Sequence, residues 1–430
     1  MRKAILFIIS LLSISTVYGQ SEPAAYVRVA NTFRQFYNSN KPDSIYKIFG
    51  PEMRQTLTAG QFRTANEQLK TNLGTLTYLE FLNFNSPVAT YNAGFQKGEL
   101  VMRLSLNSEN QIIGLLLQPA RGPADAPANT VINDPAVTEI SFTHKTMWGN
   151  ISGTLALPKN IDGKIPVVLI IPGSGPTDRN GNNPMGVNSN SYLLLAKDLA
   201  KKGIASLRYD KRNIGQTLSP AKEKEMRFDD NSDDAISLID LLHNDPRFSK
   251  VIVLGHSEGS LVGILASEEQ PVSAFISVNG AGSRADEILT EQMKSQPAYI
   301  ANGFKTILDS LKKGKYTDMV DPALYPIARL SIQPYILSWM VNDPVKEIRK
   351  LKIPILIIQG TTDLQVTISE AEKLKKAKSN AVLDIIPNMN HIMKDAPVDH
   401  DANLATYTQP DLPLKPELVM DIVTFIGKLK

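Results

Sequence analysis

The sequence predicts an α/β fold with an eight-stranded, mainly parallel sheet, preceded by a small α+β domain. Three observations predict it. From residue 137 onward, short apolar runs alternate with helical stretches, which implies a mainly parallel sheet with helices on both faces. The apolar run Val251-Ile252-Val253-Leu254 leads into Gly255-His256-Ser257-Glu258-Gly259, and an apolar helical stretch begins at Ser260. Between Pro119 and Pro135 the chain is rich in Pro and Ala with no periodicity, which marks a boundary near residue 130.

The N-terminal end reads as a secretory leader over residues 1–19. Met1-Arg2-Lys3 is a basic start, Ala4 to Leu12 a short apolar core, and Val17-Tyr18-Gly19 a cleavage site. The apolar run is too short for a permanent bilayer span, and no cysteine beside the site offers a lipid anchor. The expectation is a secreted or periplasmic protein, with no stable membrane insertion after signal cleavage. The chain has no Cys, which excludes disulfides, thiolate metal sites and a cysteine nucleophile. A 430-residue chain is long enough for cores that need no disulfide. The formal net charge is +3, and a leader cut at Gly19 takes Arg2 and Lys3 with it, leaving +1. Near neutrality gives no reason to expect nucleic acid or an anionic membrane as partner. The sequence sets no oligomeric state.

Residues 20–120 form the small α+β domain. Ala25 to Tyr37 has helical apolar spacing. A second helix starts at Thr58-Ala59-Gly60-Gln61, a capping-box pattern, and runs toward Leu73. Strands are expected at Thr75 to Asn83, Gly98 to Leu106 and Gln111 to Gln118, the last two joined by a hairpin at Asn107-Ser108-Glu109-Asn110. No catalytic constellation appears in this unit. A linker follows at 121–136.

The larger domain spans 137–430. Its expected strands are Val137–Thr146, Ile151–Pro158, Ile165–Ile171, Ile204–Tyr209, Val251–Leu254, Ala274–Val278, Ile355–Gln359 and Ala381–Ile386. Helices are expected at Tyr192–Lys202, ended by Gly203, at Asp230–His243 and at Glu417–Leu429. A long insertion at about 281–351, between the sixth and seventh strands, reads as a helical cap. Within it Tyr335 and Trp339 are four apart, on one helical face. They either wall a pocket or only pack the cap.

Strand, Gly-x-Ser-x-Gly and helix together make the nucleophile elbow of the α/β-hydrolase fold. The tight turn lifts the Ser257 hydroxyl clear of the sheet edge, where a base can reach it. The flanking glycines let the backbone turn without a Cβ clash. Asp363 follows the seventh strand and His391 the eighth, so Ser, Asp and His come in this fold's chain order. All three lie just beyond strand ends, where ligands sit in such sheets. Ser257 is the expected nucleophile, His391 the general base and Asp363 the residue that holds the imidazole. Of the other four histidines, His144 lies in the first hairpin and His243 at a helix end. His256 points away from the site, and His400, in a later loop, is the rival base. The oxyanion hole is expected from the backbone N–H groups of Glu258 and Ser174, with Gly175 second to Ser174. Reading Pro172-Gly173-Ser174-Gly175-Pro176 as a phosphate loop is the weaker alternative, because the Gly-Lys-Ser/Thr ending is missing.

Asp178 and Arg179 either orient substrate or brace their loop by pairing with Asp210 or Arg212. Asp229-Asp230 and Asp233-Asp234 fit a helix N-terminus better than a metal shell. No metal and no cofactor are expected.

Pro172 to Asn182, Arg208-Tyr209-Asp210-Lys211-Arg212, Pro354 to Asp363 and Asn390-His391 resemble the corresponding segments of bacterial α/β-hydrolase serine esterases. The glycine usual at position 213 is Asn213, which also tolerates φ > 0. The resemblance covers residues 137–430. The first unit resembles a small domain of unknown function that often precedes such hydrolases in secreted bacterial proteins. The resemblance implies hydrolysis of carboxylic esters, mostly with short acyl groups, and a small-molecule ester as substrate. The alternatives are a serine peptidase or aminopeptidase on the same fold, and a binding protein on a hydrolase scaffold.

Overall fold

The computed structural model describes residues 22–85, 87–119, 132–321 and 324–429. The leader expected at 1–19 and residues 121–131 of the expected linker lie outside them. The chain divides into two compact units between residues 126 and 127.

In the first unit, helix Ala24–Asn38 buries Tyr26, Ala30, Phe33 and Tyr37, one stripe at helical spacing. Two short helices, Pro42–Lys47 and Pro51–Thr56, each begin on proline, whose missing N–H costs nothing there. Helix Ala59–Leu73 follows. The sheet is an antiparallel meander of β1 (Leu76–Asn85), β2 (Val88–Phe95), β3 (Gly98–Leu106) and β4 (Ile112–Pro119). The sequence reading has no strand where β2 lies. Val88-Ala-Thr-Tyr-Asn-Ala-Gly-Phe95 mixes in Ala, Asn and Gly, which are depleted in strands. Pairing on both edges, with β1 and β3, supplies what propensity does not.

The second unit holds the eight-stranded sheet. Its strands are β5 (Val137–Lys145), β6 (Asn150–Pro158), β7 (Ile165–Ile171), β8 (Ala205–Tyr209), β9 (Phe248–His256), β10 (Ala274–Val278), β11 (Ile355–Gly360) and β12 (Val382–Ile386). Their order across the sheet is β12-β11-β10-β9-β7-β8-β6-β5. The pairs β5–β6 and β6–β8 are antiparallel and the rest parallel. This is the expected α/β-hydrolase sheet.

The continuous apolar runs are explained by burial on both faces. Val251 and Val253 join one core with Val167, Leu169 and Ile171. Ile252 and Leu254 join the other with Val168 and Ile170. The chain leaves β7 for β8 on one side, then crosses back to β9 on the other. The loops after β7 and β9 therefore meet at the switch point, where such sheets bind ligands. Between β10 and β11 the insertion forms helices Ala285–Gln292, Ala298–Leu311, Tyr325–Ala328, Gln333–Met340 and Pro344–Lys350. It has its own core, including Ile300, Phe304, Leu308, Leu311 and Met340.

Candidate active site

Ser257 sits between β9 and helix Glu258–Ala266 with φ 54° and ψ −122°. A non-glycine residue at this φ is held by its surroundings. What holds it is close backbone packing. A Cβ on Gly255 would lie 2.1 Å from the Gly259 carbonyl oxygen, and one on Gly259 would lie 2.4 Å from that of Ile171. The turn can be this tight only with glycine at both places. Ser257 N–H donates to the Val278 carbonyl at 3.0 Å, tying the elbow to β10.

Asp363 lies just past β11 and His391 past β12. The Nδ1–H of His391 donates to Asp363 Oδ2 at 2.8 Å, and the Asp363 side chain is wholly buried. Asp363 Oδ1 also accepts from the N–H groups of Gln365 and Val366, at 2.7 and 2.9 Å. Oδ2 accepts from Gln359 Nε2 at 3.2 Å. These donors hold a buried carboxylate in place and leave His391 Nε2 as the ring's basic nitrogen. No hydrogen bond joins Ser257 Oγ to His391, so the hydrogen bond that the structure itself makes at the His391 ring is the one to Asp363. The rival, His400, is exposed and pairs with the neighbouring Asp401.

His256 does not point away from the site. Its ring centroid is 4.9 Å from that of His391. Burial, then the neighbouring His391, pushes its pKa down to about 3, so it is neutral. His256 Nε2 lies 2.8 Å from the His391 carbonyl, which can only accept, so Nε2 carries the proton. Nδ1 must then accept, and Tyr192 Oη donates to it at 2.7 Å. Tyr192 Oη in turn accepts from Gly173 N–H at 3.0 Å. One polar chain thus links the loop after β7, the elbow and the histidine loop. Asn279 adds a second tie: its Nδ2 donates to the carbonyls of Asn390 and His391, both at 3.0 Å, and its Oδ1 accepts from Gly360 N–H. Sequence reasoning missed Tyr192 and Asn279. For Asn279 the available signal was a polar residue directly after a buried strand, whereas Tyr192, on helix Ser191–Ala200, carries no such signal.

The loop after β7 passes close to Ser257. A Cβ on Gly173 would lie 3.3 Å from Ser257 Cβ. Ser174, Ser257 and Glu258 line one cavity with Leu261, Ile288 and Trp339. Gly173 N–H is spent on Tyr192, whereas the N–H groups of Ser174 and Glu258 have no partner among the described residues.

Trp339 and Tyr335, four apart on helix Gln333–Met340, have different surroundings. Trp339 walls the cavity and stacks on Phe228, with centroids 5.8 Å apart. Tyr335 does not line it; its hydroxyl donates to Glu258 Oε1 at 2.9 Å. Arg179 braces its loop, pairing with Asp210 at 2.6 Å. Asp178 accepts from the N–H groups of Asn180 and Asn182. Asp229 and Asp230 open helix Asp229–His243, and Arg212 binds Asp230 and Asp234. Asn213 takes φ 60°.

Residues 184–322 match a family described as serine aminopeptidase, S33, a span that includes the elbow and ends before Asp363. Residues 30–115 match a family described as a protein of unknown function, DUF3887. The chain is similar to Esterase EstD of Thermotoga maritima, with 24% identity over 401 residues, covering 89% of this chain and 92% of that protein. Two solved structures are also similar. Est1E from Butyrivibrio proteoclasticus is 17% identical, over 67% of this chain and 99% of its own, with a TM-score of 0.43. A bromoperoxidase from Bacillus anthracis is 17% identical, over 67% and 100%, with a TM-score of 0.42.

Proposed function

We propose an acyl-enzyme mechanism on Ser257 for this chain, which belongs to the α/β-hydrolase esterases and carries a small N-terminal domain of the DUF3887 type. Ser257 Oγ attacks the carbonyl carbon of a small ester. His391 Nε2 takes the hydroxyl proton, and Asp363 keeps the imidazole oriented and stabilises its charged form. The oxyanion is met by the N–H groups of Ser174 and Glu258. When the tetrahedral species collapses, His391 gives its proton to the departing alcohol. Water, activated by the same His391, then releases the acid and restores Ser257.

The observation that carries this reading is the single cavity shared by Ser257 and two unpartnered N–H donors, with the His391–Asp363 pair on the neighbouring strand ends. The cavity is about 40 Å³, against roughly 300–1,000 Å³ for drug-sized ligand sites. Its walls include the apolar Leu261, Ile288, Leu289 and Trp339 close around Ser257, which supports short acyl groups over long ones. The aminopeptidase description of the matched family suggests a second reading. An aminopeptidase needs a carboxylate for the substrate's amine. The one acidic residue lining the cavity among the described residues is Glu258, and its carboxylate is already paired with Lys211 at 2.9 Å. This favours esters. Export belongs to the same proposal and rests on the leader at 1–19.

The test is a substrate panel with the mature protein: p-nitrophenyl acetate, butyrate and octanoate, and aminoacyl-anilides. Expected is the highest kcat/KM on the short esters. Faster cleavage of the anilides would replace the esterase reading with the peptidase one.

A further inference from the structure

We propose that Lys211 is a positioning residue for the oxyanion hole, and that the cap fixes it there through Tyr335. The inference rests on the oxyanion assignment above and extends it.

Ser174 N–H belongs to the same peptide unit as the Gly173 carbonyl. Lys211 Nζ donates to that carbonyl at 3.2 Å. A trans peptide is planar, with C=O and N–H pointing in opposite directions. Holding the oxygen toward Lys211 therefore holds the Ser174 N–H on the opposite side. On the other side of Gly173, its N–H is held by Tyr192. The peptide cannot turn its N–H aside without losing the lysine contact. A cation on the carbonyl oxygen also polarises the amide and makes its N–H a stronger donor.

The same ammonium binds Glu258 Oε1 at 2.9 Å, and the two side chains are 11% and 1% exposed. Glu258 supplies the second N–H donor. Lys211 thus ties the Gly173–Ser174 peptide to Glu258, the two units that supply the proposed N–H donors. The third member comes from the cap. Tyr335 Oη donates to Glu258 Oε1 at 2.9 Å and accepts from Asn231 Nδ2 at 2.7 Å. Burial, reinforced by Glu258, raises the Tyr335 pKa and keeps its phenol a donor. With Tyr335 in place, Glu258 has less freedom to leave Lys211. Isolated buried charges are costly, so this trio holds together as a unit.

The test uses the full chain and p-nitrophenyl acetate, with rates normalised to the end-point labelling of Ser257 by a fluorophosphonate. Lys211→Met should lower kcat about 10–100-fold, less than the roughly 10²–10³-fold for losing a donor outright, with KM nearly unchanged. The inhibition constant of an aryl trifluoromethyl ketone, whose adduct carries the oxyanion, should weaken by the same factor as kcat/KM. Tyr335→Phe should show the same pattern, reduced to a few-fold. If Lys211→Met unfolds because Glu258 is left unpaired, Lys211→Met with Glu258→Gln removes both charges and should show the same kcat loss. Unchanged kcat per labelled site in either folded variant, or a change confined to KM, overturns the proposal. A wild-type chain with neither turnover nor label at Ser257 overturns the hydrolase reading as well. Wild-type turnover with unaffected variants overturns the Lys211 role alone.

Discussion

The two units bury different things. Among the described residues of the first, Asn66 is the one polar side chain that is buried; its core is aromatic and aliphatic, with Tyr37 against Phe95 and Phe49 against Phe62. The second unit buries Arg179, Asp210, His256, Glu258, Asn279, Gln359, Asn390 and His391, among others. Every one of these lies at or just beyond the end of a sheet strand, or in a loop that follows one. Burying a polar group without a partner costs about 1–3 kcal/mol, so a fold that needs only stability avoids it. The contrast separates a unit built for packing from one that holds loops in a set geometry. The second unit's buried polar groups gather at the strand ends where the candidate site lies, and among the described residues of the first unit Asn66 stands alone.

The largest expected effect is at the elbow. Ser257→Ala should lower ester turnover by roughly 10⁴ or more while leaving the fold intact. His391→Ala should match it within about tenfold, and Asp363→Asn should lose less, because the three act as one unit. A fluorophosphonate should label Ser257 alone. Labelling elsewhere, or a lethal His400→Ala beside a mild His391→Ala, would move the chemistry to other residues.

A smaller effect sharpens the division inside the cap. Trp339→Ala opens the cavity wall and should move the optimum from acetate toward longer esters, at about 1–3 kcal/mol per methylene accommodated. Tyr335→Ala should not, because Tyr335 holds Glu258 and does not line the cavity. Acyl-length profiles from acetate to octanoate for both variants distinguish the roles. A shift with Tyr335→Ala and none with Trp339→Ala would reverse them.

The smallest effect bears on the comparison itself. A chain beginning near residue 133 should keep its turnover on p-nitrophenyl acetate within a few-fold, since every group named at the site lies beyond residue 150. Circular dichroism would establish that it folds. A folded, inactive truncation would show that the first unit completes the site.

The centre of the sheet was legible in the sequence because burial on both faces writes the inner parallel strands as unbroken apolar runs, as in Val251 to Leu254 and Ile355 to Ile358. Ser257 and Asp363 were legible as candidates because each comes within three residues of a buried strand's end, and His391, five residues past β12, because Ser, Asp and His in this chain order are a constraint of the fold. Other features depended on the tertiary structure. β2 is a strand because two neighbours pair with it, although its own residues argue weakly. Lys211 reaches Gly173 across 38 positions, Tyr192 reaches His256 across 64, and Asn279 reaches His391 across 112. No periodicity connects residues so far apart. Their contacts exist because the crossover at β7 brings separate loops to one rim, where each buried polar atom must find a partner on whichever loop arrives there.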